Sequence, residues 1–599
     1  MSTNIPLRED MPEEHTWDLS TLFPNPHAWE EGLAEFENRI PRFREFSGTL
    51  GTSAASLKKC LDYLMDTERL DERLGYYAHL RTTENIADTT HQDRFSRYMR
   101  ITTKFSAETS FIIPEIQVLP EETMKSYLVS PELREYRVVL RKILRFKPHI
   151  LSPAEEKLLA KQAEAKQTPE KAFSSLTNVD MDFGSITTPE GEKPLSQSTF
   201  GSLMIHPDRG VRERTYRSLY RVFDGHKQTL SSLFEGSVQQ DIYEADVRGY
   251  SSTRAMALFP DKVPEEVYDN LIRTVHEYLP ALRRYYELRR RALDLDTLAH
   301  WDVYVPIVKD IKTNYPYEDA VETVYNALAP LGDEYRNTLK EGLLGGWVDR
   351  YENKGKRSGA FSAGSYDGDP YILLNYKSDV LRDLFTLAHE GGHSMHSWYS
   401  SRNNPFQHYN YTIFEAEVAS TFNEQLTARY LLEHAENDKM KAYVVNKEVD
   451  DFAATVFRQT MFAEFEHLTH KMAEEGTPLT LDALRKTYRG LLETYFGPEV
   501  HLPEEGDLEG LRIPHFYRAF YVYKYATGLS AAVSLAGRVL EGGEAERERY
   551  LSFLKSGGSR FPLESLELAG VDMSSPEPIR SALETFTRKV EDLERFLGA

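Results

Sequence analysis

Cysteine is almost missing: Cys60 is the single one in 599 residues. That excludes an intrachain disulfide and any metal site built mainly on thiolates, and it fits a reducing, cytoplasmic setting. Positive charge is also in deficit. Lys+Arg 72 against Asp+Glu 94 leaves −22, which argues against nucleic acid or an anionic membrane as partner. Long apolar runs are lacking as well. Even residues 516–537 are interrupted by Arg518 and Lys524, so no segment reads as a membrane span. The opening, Met1-Ser-Thr-Asn-Ile-Pro-Leu-Arg-Glu-Asp10, has no apolar stretch of the kind a secretory signal needs. Neither internal repeats nor low-complexity tracts are seen. What remains is 40% hydrophobic and 28% charged, ordinary for a globular chain long enough for a large core and more than one lobe.

The most informative stretch that is there is Leu381-Arg-Asp-Leu-Phe-Thr-Leu-Ala-His-Glu-Gly-Gly-His393. Ser378-Asp379 offers a helix N-cap, and Val380, Leu381, Leu384, Phe385 and Ala388 follow at helical spacing. The Leu381, Phe385 row continues through His389 and His393, so two imidazoles one turn apart extend a buried stripe and converge on one metal ion. Glu390, beside the first histidine, is placed to act as general base on an attacking water. Two buried histidines satisfying each other would be costly to desolvate. Gly391 and Gly392, each about 1 kcal/mol worse than alanine in a helix, imply that something packs closely on this turn. A zinc peptidase is the expectation.

Zinc of this kind needs a third protein ligand and an open position. Glu417 supplies it in Ile413-Phe-Glu-Ala-Glu-Val-Ala-Ser-Thr-Phe-Asn-Glu424, a segment that returns as a helix. Glu417, Thr421 and Glu424 share one face, with Phe414, Val418 and Phe422 on a neighbouring one. Glu424 is expected to orient a ligand histidine by a hydrogen bond. Glu415 reads as an exposed helix carboxylate. His396 falls near the His389 face as an outer partner or core residue, not a fourth ligand. Two imidazoles and a carboxylate do not select strongly among metals, so cobalt or manganese could replace zinc. A second constellation, Ile513-Pro-His-Phe-Tyr-Arg-Ala-Phe-Tyr-Val-Tyr-Lys-Tyr-Ala-Thr-Gly528, places Tyr517, Tyr521 and Tyr525 in one helical row with His515 just before it. Such a stripe is commonly core packing, with Phe520 and Tyr523 as packing residues. Neutral phenol and imidazole donors also suit a tetrahedral oxyanion.

Helical signals dominate the rest. Ser152-Pro-Ala-Glu155 is a capping box, and the runs Leu57 to Leu80 and Val263 to Leu293 show helical apolar spacing. A hairpin around Pro189-Glu-Gly191 marks a boundary, giving an amino-terminal helical lobe over 1–195 and a catalytic lobe over 196–599. Residues 359–376 read as two strands turned at Asp367-Gly-Asp-Pro370, just before the two-histidine helix. Their edge, Gly359-Ala-Phe361, is either a substrate-pairing strand or a small cover.

These residues carry a resemblance. His389–His393, Phe414–Ser420, His515–Tyr525 and the opening Trp17-Asp-Leu-Ser-Thr-Leu-Phe-Pro24 are together similar to the oligoendopeptidase F branch of the thimet-oligopeptidase superfamily of zinc metallopeptidases, along essentially the whole chain. The resemblance implies a mainly α, two-lobed zincin-like metallopeptidase with a small β element beside the active-site helix and a deep central cavity floored by one zinc ion. It implies hydrolysis of internal bonds in oligopeptides, with folded proteins excluded. It makes His389, His393 and Glu417 the ligands, Glu390 the base, and His515, Tyr521 and Tyr525 the transition-state donors; Tyr517 matches less closely. It favours Gly359, Ala360 and Phe361 as substrate edge. Three rivals stand beside it: a helical metallocarboxypeptidase sharing the metal core, a di-iron helical protein using Glu390-x-x-His393 and Glu464-x-x-His467, and a non-catalytic peptide binder.

Overall fold

The computed structural model describes residues 5–308 and 314–598. Helix dominates, and the sheets are small. The chain folds as two compact units, each assembled from three segments. The first takes Met1–Pro148, Lys312–Tyr430 and Leu535–Val571; the second takes His149–Ile311, Leu431–Ser534 and Asp572–Ala599.

In the first unit, helix Ala54–Glu84 begins on Ser53, whose side chain accepts from the Ser56 N–H, and buries Leu57, Leu61, Leu70 and Leu74 along one stripe. The opening motif packs against the same core. Asp18 caps the short turn Leu19–Thr21, which lets Leu19, Leu22 and Phe23 turn inward. The Trp17 indole N–H donates to Glu84 (2.6 Å), and the ring lies 6.4 Å from Phe361 and 6.2 Å from Tyr371. Those two rings belong to a three-stranded sheet ordered Val348–Asp349, Tyr371–Leu373, Phe361–Ala363. The last pair is antiparallel, with Ser362 opposite Ile372. Tyr371–Leu373 is therefore the fully paired centre, and Phe361–Ala363 is an edge whose outer side pairs with no strand among the described residues, the Ser362 N–H there going to Glu390. The hairpin expected over 359–376 is present; its third partner, Val348–Asp349, carried no signal that periodicity could pick out in two residues.

In the second unit, helices Asp438–Phe452 and Glu577–Leu597 pack along their length, with Phe586 against Phe452 and Phe457. Ser152 forms the expected box with Glu155 at the start of Pro153–Lys166. The hairpin at Pro189 pairs Ser185–Thr188 with Gly191–Pro194, and Gly191 takes φ +116 at the turn. The run from Val263 is two helices, not one. Glu265–Glu277 stops at Tyr278, and Pro280 restarts the chain as Leu279–Ala292 because proline fits only the first turn. Among the described residues no helix is long and apolar enough to cross a membrane.

Candidate active site

His389, Glu390 and His393 stand on helix Leu381–Asn403. Its start differs from the expected one. Neither Ser378 nor Asp379 caps it; Asp383, inside the first turn, reaches back to the Lys377 N–H (2.8 Å). Leu381, Leu384 and Phe385 are buried as the stripe requires. The two glycines have distinct neighbours. A Cβ on Gly392 would sit 2.5 Å from the Ala419 carbonyl oxygen and 2.6 Å from Ser420 Cα, whereas one on Gly391 would meet only the Leu339 side chain at 3.2 Å. Gly392 thus lets helix Ile413–Glu433 approach backbone to backbone. Asn423 fixes that approach, donating to the Ala388 carbonyl (3.2 Å) and accepting from the Tyr335 hydroxyl (2.9 Å).

The close crossing brings Glu417 over the histidines. Its Oε2 lies 3.5 Å from His389 Nε2 and 3.7 Å from His393 Nε2. The ligand atoms of these three residues all fall within 4.8 Å of one another, and no other such His/Cys/Asp/Glu group occurs among the described residues. Ligand atoms held at about 2.1 Å from a tetrahedral ion stand roughly 3.4 Å apart, so the spacing fits a zinc-sized cation. Each of the three side chains is also held from behind. His389 Nδ1 pairs with Glu424 (2.8 Å), Ser420 donates to Glu417 (3.2 Å), and His393 has a backbone hydrogen bond at Ala416. Glu424 therefore sits where the sequence reading placed it.

Electrostatics point the same way. Burial opposes charge on His389, but Glu424, Glu390 and Glu417 outweigh it and lift the imidazole to about 9. Burial, helped by the neighbouring His389, pushes His393 down to about 3. Glu390 is raised to about 7, chiefly by burial and despite the Ser362 backbone N–H that it accepts. The surrounding cavity, about 440 Å³, is lined by Glu390 and Glu417 with both histidines and has, among the described residues, no Lys or Arg in its wall. Three carboxylates around two imidazoles leave an excess of negative charge that a dication would balance.

The edge strand forms another wall of this cavity, through Ala360, Phe361, Ser362, Ala363 and Gly364. Gly359, with φ +86, turns the chain just before it. Tyr76, Tyr409 and Tyr411 also line it; the sequence reading missed all three. The signal for Tyr411 was its place in Tyr409-Asn-Tyr411, directly ahead of the returning helix. Its hydroxyl pairs with Ser397 (2.9 Å), and its ring stacks at 3.6 Å on His396. His396 is fully buried, pushed down to about 3 by burial, and flanked by Phe553 on its other contact. It supports a wall tyrosine, and no hydrogen bond ties it to a ligand histidine. Glu415 is not exposed as expected. It is 1% exposed and accepts from the Thr412 N–H and hydroxyl, reaching back over the start of this helix.

The His/Tyr segment lies in the second unit and is not one helix. Pro514–Tyr517 is a 3₁₀ turn, and the long helix begins only at Tyr523. Between them Phe520 adopts φ +59, costly for a side-chain-bearing residue. Buried Glu466 accepts its N–H (3.2 Å), and its ring packs on His470 and Tyr268. The break reorders the row. His515, Tyr521 and Tyr525 cluster, with ring centres 6.2, 6.2 and 5.5 Å apart. Tyr517 turns away onto Phe173 (4.6 Å). Burial pushes the imidazole of His515 below its ordinary value, so it is a neutral donor. The di-iron alternative loses its second half, because Glu464 is engaged by His276 (2.8 Å) and the Tyr495 hydroxyl (2.9 Å).

Comparison with known proteins agrees with this geometry. The sequence pattern of Peptidase family M3 matches residues 202–585, and that of Oligopeptidase F matches residues 115–183. Oligopeptidase PepF of Bacillus subtilis is 41% identical across 100% of this chain and 89% of its own length. The oligoendopeptidase F homolog of Borreliella burgdorferi is 41% identical over 98% of this chain and 99% of its own. The crystal structure of oligoendopeptidase-F from Enterococcus faecium superposes with a TM-score of 0.75 at 33% identity, covering 95% of this chain and 98% of that one. With such matches over its whole length, the two-histidine helix and its returning partner included, the chain belongs to peptidase family M3, and it is a peptidase.

Proposed function

We propose that this peptidase is a zinc-dependent endopeptidase that cleaves internal bonds of oligopeptides and leaves folded proteins intact. The observation that carries the reading is the convergence of His389 Nε2 and His393 Nε2 on Glu417 Oε2. These three residues would hold one zinc ion. Bound there, zinc would serve as a Lewis acid that polarises the scissile carbonyl and acidifies water beside it. Glu390 does the proton work. Burial raises it to about 7, so near neutral pH its carboxylate takes a proton from the attacking water and passes it to the departing amine nitrogen. Glu424 keeps the His389 proton on Nδ1 and so leaves Nε2 free to ligate.

Gly359, Ala360 and Phe361 pair with substrate main chain along the open edge. His515, Tyr521 and Tyr525 donate to the developing oxyanion; this rests on three neutral donors gathered in one cluster. The division near residue 195 is proposed as the boundary of the catalytic portion, since the two family patterns fall on either side of it. A cytoplasmic location, with neither nucleic acid nor membrane as partner, follows from the single cysteine and the charge of −22.

The test is an internally quenched peptide blocked at both ends, incubated with chelated and zinc-restored protein, with products resolved by mass. Internal cleavage that vanishes on chelation and returns with zinc is expected. Cleavage that survives full removal of metal would overturn the reading, and cleavage confined to a companion peptide with a free carboxyl terminus, the blocked peptide staying intact, would make the protein a carboxypeptidase.

A further inference from the structure

A second cavity of about 470 Å³ adjoins the catalytic one, and nothing above gives it a task. The two share Ala360 as a wall. The second is lined by Ser358 and Gly359 ahead of the edge strand, by Asn375 and Lys377 after its sheet partner, and by Arg382 and Thr386 on the active-site helix. Thr386 lies one helical turn before Glu390, so the cavity continues along the same helix toward its amino end. Its wall is fastened: the Asn375 amide donates to the carbonyls of Arg357 (3.1 Å) and Gly359 (2.9 Å).

The charge here contrasts with that of the chain. Lys377 and Arg382 line the cavity and are exposed, and exposed Arg357 lies beside it, in a protein whose net charge is −22. Arg357 rests over the Phe361 ring at 5.5 Å, which places it at the strand itself. Of the nearby carboxylates, Asp383 accepts the Lys377 N–H and faces the Lys377 and Arg382 charges, while Asp379 and Glu352 are exposed at the margin. Lys356 is spent on Asp349 (2.5 Å). Among the described residues, the catalytic cavity next door has no Lys or Arg in its wall.

We propose that this cavity is a substrate subsite that takes acidic side chains, or the terminal carboxylate, on the carboxyl side of the cleaved bond, with Lys377 and Arg382 as its charge-selecting residues. The inference rests on the peptidase reading above. A peptide laid antiparallel on the edge strand runs opposite to Phe361–Ala363, so its carboxyl-side residues leave over Gly359 and enter this cavity. Reach is consistent. Eight helical residues separate Arg382 from Glu390, about 12 Å at 1.5 Å each, which an extended peptide covers in roughly four residues at 3.3 Å each. The third and fourth residues beyond the cleaved bond therefore meet the cations.

The experiment compares three quenched peptides that differ only at those two positions, carrying Glu, Ser or Lys, with the zinc-loaded full chain at low and high salt. Wild type should cleave the Glu peptide faster than the Lys peptide by about five- to twenty-fold in kcat/KM at low salt, shrinking as salt screens the rim. The double variant Lys377→Glu with Arg382→Glu should reverse that ratio; its zinc content and Tm report whether it is folded, and Lys377→Gln with Arg382→Gln, expected to abolish the ratio, serves if the reversal variant does not fold. Equal rates for the three peptides in wild type, or a ratio unmoved by the variants, overturns the subsite. Cleavage of the Glu peptide relocated so that its Glu residues fall on the amino side of the bond overturns the antiparallel direction. No cleavage of the Ser peptide under any metal condition counts against the peptidase reading itself, and so separates the two failures.

Discussion

At the residue scale, the candidate site divides labour among groups whose environments differ. Glu390→Gln keeps the shape of the side chain and removes its basicity; turnover should fall by about 10²–10⁴-fold with zinc stoichiometry unchanged, measured by metal analysis beside kcat. Glu424→Ala removes the partner of His389 Nδ1, so zinc should bind about 10–100-fold more weakly while the saturated enzyme still works; competition with a chromogenic chelator reads this. The phenols offer a sharper comparison. Tyr521→Phe or Tyr525→Phe should lower kcat by about 10²–10³-fold, whereas Tyr517→Phe should cost far less, since its ring lies on Phe173 and outside the cluster. Equal losses at all three positions would return Tyr517 to the reacting group.

At the scale of elements, the site exists because two helices cross at Gly392. Gly392→Ala places a methyl 2.5 Å from a main-chain oxygen that cannot move alone, so it should cost about 1–3 kcal/mol of stability and weaken zinc binding. Gly391→Ala meets only the tip of Leu339 and gains helix propensity. Its melting temperature should be near or above wild type, and calorimetry of the pair distinguishes a packing glycine from a merely tolerated one. The elements also show where periodicity misleads. Tyr517, Tyr521 and Tyr525 have helical spacing, but Phe520 leaves the helix in a left-handed turn stabilised by Glu466 and His470, residues some fifty positions earlier that no local pattern connects to it. Glu415 read as exposed because its offset from the Glu417 face was visible; its capping role at Thr412 and the layer over it were not.

At the scale of the whole molecule, metal and protons couple the site to the stability of the fold. Zinc that binds only the folded chain stabilises it by RT ln(1 + [L]/Kd), about 2.7 kcal/mol at a hundredfold excess over Kd; chelation should therefore lower Tm, and zinc should restore it. Acid acts through other groups. Burial pushes His300 down to about 3, below its ordinary 6.5. Its neutral form is thus the one the fold holds, the stability it contributes is present above pH 6.5, and it is lost as pH falls toward 3. His300→Gln should lose less Tm between pH 7 and pH 5 than wild type does; an identical slope would show that other groups govern the acid limb.

By itself the sequence determined the helical character of the chain, the two-histidine helix with Glu390 on it, the returning helix with Glu417 and Glu424, and the hairpin beside them. Those features are local: each is written in a spacing of two, three or four residues, which backbone geometry converts directly into a shared face. Tertiary structure decided which of these faces meet. It set the 3.5 and 3.7 Å distances from Glu417 to the imidazoles, drew His515 to Tyr521 and Tyr525 while turning Tyr517 away, and brought Tyr411 into the cavity wall. Those outcomes depend on close packing between segments remote in sequence, where a single missing Cβ at Gly392 or one buried carboxyl at Glu466 fixes geometry that no periodicity records.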